Sequence, residues 1–160
     1  MIKLPIGALK GVAVSGIVAA ILLIANYEGL ALKPYKDVGG VWTVCYGHTG
    51  PDVIPTKEYT EDECNNLLIK DTNDRWKIVD KLVTVPLTES EHAAYTVFIY
   101  NVGEGAFKSS TLLKKLNAGD RKGACQELLR WKYAAGKVWQ GLLTRREMER
   151  KVCLGVYSST

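Results

Sequence analysis

Between Gly11 and Tyr27 the chain carries no charged side chain, and from Leu4 to Ile24 only Lys10 interrupts an almost wholly apolar run. A helix needs about 20 apolar residues to cross the hydrocarbon of a bilayer, so this run just reaches. Lys3 and Lys10 precede its charge-free part, which by the positive-inside tendency keeps the N-terminus cytoplasmic and sends the remaining chain across. Gly7, Gly11, Ser15 and Ala19 recur at every fourth position with Gly16 and Ala20 alongside, giving one helical face of small residues. Such a face costs hydrophobicity, so an anchor built on it holds weakly. It also permits close helix approach, either to another anchor in lipid or to the folded domain after the segment leaves the lipid. Two other readings stay open. A basic start, an apolar stretch and small residues also describe a signal peptide cleaved after Ala20 or Ala25. The third is an ordinary buried helix, although a helix apolar all round is hard to cover in so small a domain.

The run ends at Glu28, followed by Gly29, and glycine is the commonest residue just past a helix C-terminus. Glu28 is therefore expected to close the helix, where the negative end of the helix dipole disfavours ionisation. Asp37 falls in a loop rich in glycine and turn formers, with Lys33 and Lys36 nearby, so exposure and positive charge are expected to keep it ionised. Glycosidic bond cleavage asks for such a pair: one carboxyl protonated as general acid, the other ionised beside the attacking water or sugar.

The run E-G-L-A-L-K-P-Y-K-D followed by W-T-V-C-Y-G-H-T-G resembles the phage-type lysozymes of glycoside hydrolase family 24, whose active sites show Glu, eight residues, Asp, five residues, Thr. Glu28, Asp37 and Thr43 match that spacing without a gap. Phe98 to Leu112, with N-V-G-E-G inside it, Arg130–Trp131, and G-L-L-T-R-R-E-M-E-R from Gly141 resemble the same family, so the likeness covers about residues 27 to 155. It implies an α+β, lysozyme-like fold: a small β-hairpin lobe and a larger helical lobe joined by a long helix, preceded by the signal-anchor helix. The expected division is residues 1–26 as a retained, releasable anchor and 27–160 as catalytic domain. The resemblance further implies an inverting muramidase with Glu28, Asp37 and Thr43 as catalytic residues. Asn101 and Gly103 would edge the glycan cleft, and Arg145 would meet substrate carboxylates. The N-terminal pattern is similar to the signal-anchor-release endolysins, which are tethered to the inner membrane facing the periplasm and inactive until freed. Only Asn26 and Tyr27 separate Ile24 from Glu28, so an inserted anchor holds the acid within roughly 5 Å, one helical turn, of the lipid boundary. A non-catalytic wall-binding module, a chitinase-like enzyme and a constitutively secreted lysozyme are the alternatives.

At 160 residues and 47% hydrophobic, the chain suits one domain with a proper core. Its net charge of +4 is spread rather than blocked and lacks an aromatic-interleaved basic stripe, so no nucleic-acid partner is expected, while a polyanionic wall is compatible. Peptidoglycan and, before release, the inner membrane are the expected partners, with a monomer once soluble. The four cysteines show no C-x-x-C and no histidine at ligand spacing, so neither a metal nor another cofactor is expected. Of three possible connectivities, Cys45–Cys64 and Cys125–Cys153 are favoured because each pair is nearest in sequence. Each would contribute roughly 3 kcal/mol in the chain-entropy model. Four buried free thiols are the alternative.

Val41 to Tyr46 alternates as a strand does, and Thr60 with Glu63, Thr88 with Glu91, and Thr144 with Glu147 read as capping boxes of helices, with Ser110 and Asp120 as further caps. Phe107 reads as a core anchor, Trp42 and Trp131 as packing residues, His92 as helix surface and His48 as structural rather than catalytic. Solvated arginines beside a helix N-cap account for Arg145 and Arg146 nearly as well as substrate contact.

Overall fold

The apolar N-terminal run enters the computed structural model, which describes residues 15–156, as helix α1 (Gly16–Glu28). Its leading part, with Lys3, Gly7, Lys10 and Gly11, lies outside the described residues. Helix α1 buries Gly16, Ala20, Leu23, Ile24 and Ala25 and packs on α3 (Glu89–Val102) and α2 (Glu61–Leu82). The small residues are what allow this approach. A Cβ on Gly16 would stand 2.6 Å from the backbone oxygen of Glu89 and 2.9 Å from the Trp76 ring. The Gly16 N–H, one of the unpaired donors of a helix start, donates to the Glu89 carboxylate at 2.9 Å, so α3 caps α1. The helix stops at Glu28 because Gly29 turns to φ +67° and returns its N–H to Ala25. The expected division after residue 26 thus falls inside one helix. No helix among the described residues is long and apolar enough to cross a membrane.

After α1 comes an antiparallel sheet in the order β1 (Ala31–Lys36), β2 (Trp42–Cys45), β3 (His48–Thr49). The alternation from Val41 marked β2. Strand β1 carries Pro34, which a central strand would not tolerate but an edge strand does. Helix α2 runs 22 residues from this sheet to the helical lobe, and Cys45–Cys64 fastens β2 to its first turn. Thr60 and Glu63 form the expected capping box, as do Thr88 and Glu91 at α3.

Helix α3 is the centre of the fold. Ala93, Ala94, Tyr95, Val97, Phe98 and Ile99 are all buried, because α1, α2 and α7 (Gln140–Cys153) cover it from different sides. Around it lie α4 (Glu104–Lys108), with Phe107 fully buried, α5 (Thr111–Asn117) capped by Ser110, and α6 (Arg121–Glu127) capped by Asp120. A 3₁₀ turn, Leu128–Arg130, leads to the hairpin β4 (Tyr133–Ala134) and β5 (Lys137–Val138), and Cys125–Cys153 ties α6 to α7.

Four expectations are corrected. Thr144 is not a cap: α7 starts at Gln140, directly after the hairpin, so Thr144 sits inside the helix and its hydroxyl accepts from the Gln140 amide at 3.3 Å. Arg145 and Arg146 are not solvated but 8% and 0% exposed, because α7 turns that face onto α3. Trp42 is an exposed strand residue with the Lys36 ammonium 5.4 Å from its ring centroid, whereas Trp131 does pack, edge-on to Phe98 at 5.2 Å. His92 is largely covered, stacked on Trp76 at 3.5 Å.

Candidate active site

Glu28 is the last residue of α1; two elements reach its carboxylate, and a third steadies one of them. From α7, Arg145 Nη2 donates to Oε1 at 3.1 Å, with the guanidinium 4.8 Å over the Tyr27 ring. From the turn between β2 and β3, Gly47 comes so close that a Cβ there would stand 2.8 Å from Oε2. Gly47 also holds φ +73°, so both its backbone and the space beside it call for glycine. From α3, Tyr100 donates its hydroxyl to the Tyr46 carbonyl at 2.6 Å and steadies that turn. Burial, with the Asp71 and Glu28 carboxylates nearby, holds the Tyr100 hydroxyl well above its ordinary pKa, so it remains a donor. The Glu28 side chain is left 23% exposed, enough for contact with a ligand on one side.

Asp37 lies in the turn joining β1 to β2. Its Oδ1 accepts from the N–H groups of Gly39 at 2.8 Å and Val41 at 2.9 Å, while its own N–H donates to the Val41 carbonyl at 3.0 Å. The local turn chemistry therefore fixes the carboxylate without tertiary help. Thr43 on β2 is buried, opposite Tyr35 on one side and Thr49 on the other. Its hydroxyl donates to the Val41 carbonyl at 3.1 Å, so toward any further partner it is an acceptor.

Behind the sheet, His48 Nδ1 meets Asp71 at 2.6 Å and Nε2 meets Asp52 at 3.1 Å. Burial alone would lower its pKa, but these hydrogen bonds and charges outweigh burial and raise it. This clamps β3 onto α2. Asn101, at the end of α3, accepts from Arg146 Nη2 at 2.5 Å, and Gly103 ends that helix at φ +90°. Arg145 thus reaches Glu28, whereas Asn101 and Gly103 stand at the exposed end of α3. Gly47, Tyr100 and Glu149, which lies between the two arginines, were missed in the sequence. Only Gly47, inside the Y-G-H run, offered a local signal. A cleft of about 400 Å³ beside Cys125–Cys153, bounded by Glu91 and Arg121, contains none of these residues.

The family model for phage lysozyme matches residues 25–149. The SAR-endolysin of Bacteriophage PS119 is 56% identical over 127 residues, 79% of this chain and 76% of that protein. The SAR-endolysin of Bacteriophage PS34 is 49% identical over 154 residues, 93% of this chain and 91% of that protein. Among solved structures, a mutant P22 lysozyme superposes with TM-score 0.73 at 35% identity, covering 84% of this chain and 94% of that one. The chain belongs to the phage lysozyme family, as a peptidoglycan-hydrolysing muramidase of the SAR-endolysin type.

Proposed function

We propose that Glu28 is the general acid of this muramidase, that Asp37 and Thr43 hold the attacking water, and that the β-1,4 bond between N-acetylmuramic acid and N-acetylglucosamine is cut with inversion. The observation that carries this reading is the Glu28 carboxylate itself, fixed by Arg145 and Gly47 yet open on one side. In the reaction its proton passes to the glycosidic oxygen as the bond to the anomeric carbon breaks. Water attacks that carbon from the opposite face and gives a proton to Asp37. Thr43, whose own proton is committed to Val41, accepts from the water and turns a lone pair toward the sugar. Inversion requires the two carboxyl groups roughly 6.5–9.5 Å apart. Asn101 and Gly103 edge the glycan, and Arg145, beside Glu28, meets substrate carboxylates.

Before release, residues 1–26 anchor the chain in the inner membrane with the rest in the periplasm, and the chain is inactive; afterwards it is a soluble periplasmic monomer. Two observations support this. The SAR-endolysins of Bacteriophages PS119 and PS34 are relatives of the chain. In addition, Ala20, Leu23 and Ile24 fill the core here and cannot also face lipid. Burial of Leu23 and Ile24 alone is worth about 1.5–3 kcal/mol each, so an inserted segment leaves both the core and the seat of Glu28 incomplete.

Reducing-end release from purified peptidoglycan tests the chemistry. Glu28→Gln is expected to lose roughly 10²–10⁴-fold in kcat, the usual worth of a general acid, with the anomer of the first product inverted in the parent enzyme. An active Glu28→Gln protein overturns the assignment. Intact mass of the lytic protein freed by collapsing the membrane potential tests the anchor: a full-length mass supports retention, and loss of the N-terminal segment overturns it.

A further inference from the structure

Glu149 on α7 is 1% exposed, and neither of its carboxylate oxygens receives a well-aligned hydrogen bond from the described residues. It has two guanidinium groups instead. Arg145 Nε stands 3.6 Å from Oε1 and Arg146 Nε 3.2 Å from Oε2, Glu149 lying four residues after the first arginine and three after the second. Beyond Glu149 the arginines diverge. Arg145 extends to Glu28, at the end of α1, and Arg146 to Asn101, at the end of α3, with its guanidinium 4.9 Å over the Phe98 ring. A buried carboxylate without aligned donors is costly, and an apolar side chain of similar volume would fill the space without that cost. The fold by itself does not call for this charge.

We propose that Glu149 is a positioning residue for Glu28: its carboxylate, 3.6 Å from Arg145 Nε, keeps that nitrogen turned from the acid, so that Arg145 reaches Glu28 through Nη2. This rests on reading Glu28 as the general acid. Arg145 then orients Glu28 through one contact. Without the charge on Glu149, Nε is free to turn to Glu28 beside Nη2 and close on it as a bidentate pair, the strongest form of this interaction, and the acid is held ionised. The charged and titratable groups around the cluster are Arg145 and Arg146 from α7, Tyr27 and Glu28 from α1, and Tyr100 from α3; Arg150, further along α7, is directed at Gln126 of α6. Removing one negative charge from this set favours the ionised acid.

The test is the pH–rate profile of Glu149→Gln on purified peptidoglycan, measured beside Glu28→Gln and Glu149→Asp. Glu149→Gln is expected to lose about tenfold in kcat at neutral pH with KM within about twofold, and its alkaline limb is expected to move about one pH unit lower. Glu149→Asp, which keeps the charge, returns the limb toward the parent position. An unmoved limb in folded Glu149→Gln, with Glu28→Gln inactive, overturns the proposal alone. Wild-type rates in Glu28→Gln instead overturn the assignment of the acid. Should Glu149→Gln not fold, the double variant Glu149→Gln with Arg146→Gln removes the buried pair together while leaving Arg145 beside Glu28. The same downward movement supports the proposal, and a parental limb overturns it.

Discussion

Helices α1 and α7 both deliver a part to the same carboxylate, and they are held in place by opposite means. Helix α1 has no charge before Glu28 and sits in the core through small residues and apolar contact. Helix α7 turns three charged residues, Arg145, Arg146 and Glu149, into the same protein interior. Apolar contact is non-directional, and lipid offers α1 a substitute for each apolar contact it makes on α2 and α3. Buried charges have no such substitute, because each requires its own partner at its own distance. In the proposed release mechanism the helix that moves is therefore the uncharged one, and the helix that reaches Glu28 stays with the folded body.

The largest effect that would sharpen this contrast is expected for Arg146→Met, which takes from Glu149 the nearer of its two arginines and from Asn101 its donor. Breaking a buried pair from one side costs about 3–5 kcal/mol, so thermal unfolding should begin roughly 10 °C lower. A drop of only a degree or two would show that α7 is not held by charge. Leu23→Ala in α1 is expected to cost about 2–5 kcal/mol by the cavity it leaves, readable by denaturant titration. A near-neutral result would mean α1 is not seated in the core. Gly16→Ala is smaller: the new Cβ must displace the Glu89 backbone, an overpacking cost of about 1–3 kcal/mol. Equal or greater stability would break the close-approach argument.

The smallest effect is a pH dependence, from His48 in the other lobe. Its raised pKa means that its contribution is complete below about 6.5, the unfolded value, and is lost as pH rises through the folded one. His48→Gln should remove this part of the profile, and a parental profile would show that Asp71 and Asp52 do not hold a protonated ring.

What could be read in the sequence was local. Thr60 and Thr88 cap their helices because a hydroxyl and a glutamate three residues on satisfy backbone donors within one turn. Glu28 ends α1 for a reason carried by its neighbour Gly29. Thr144 with Glu147 carries the same capping pattern but is no cap, because the hairpin before α7 lets the helix begin at Gln140, with Trp139 in the cap position. That hairpin was not foreseen. Its turn places both Ala135 and Gly136 at positive φ, and alanine rarely announces that conformation. Trp42 and His92 were misjudged because exposure depends on which neighbours the fold brings, not on residue type.

The sequence by itself determined where α1 stops and where α2, α3, α5 and α6 start, which segment is free of charge, and the spacing of Glu28, Asp37 and Thr43, since each depends on atoms a few residues apart. Only the tertiary structure decided that Gly47 lies against Glu28, that Arg145 crosses 117 residues of chain to hold it, and that Glu149 is buried between two arginines. Those contacts form only when α1, α3 and α7 pack together, and the burial that makes the charges matter is a property of that packing.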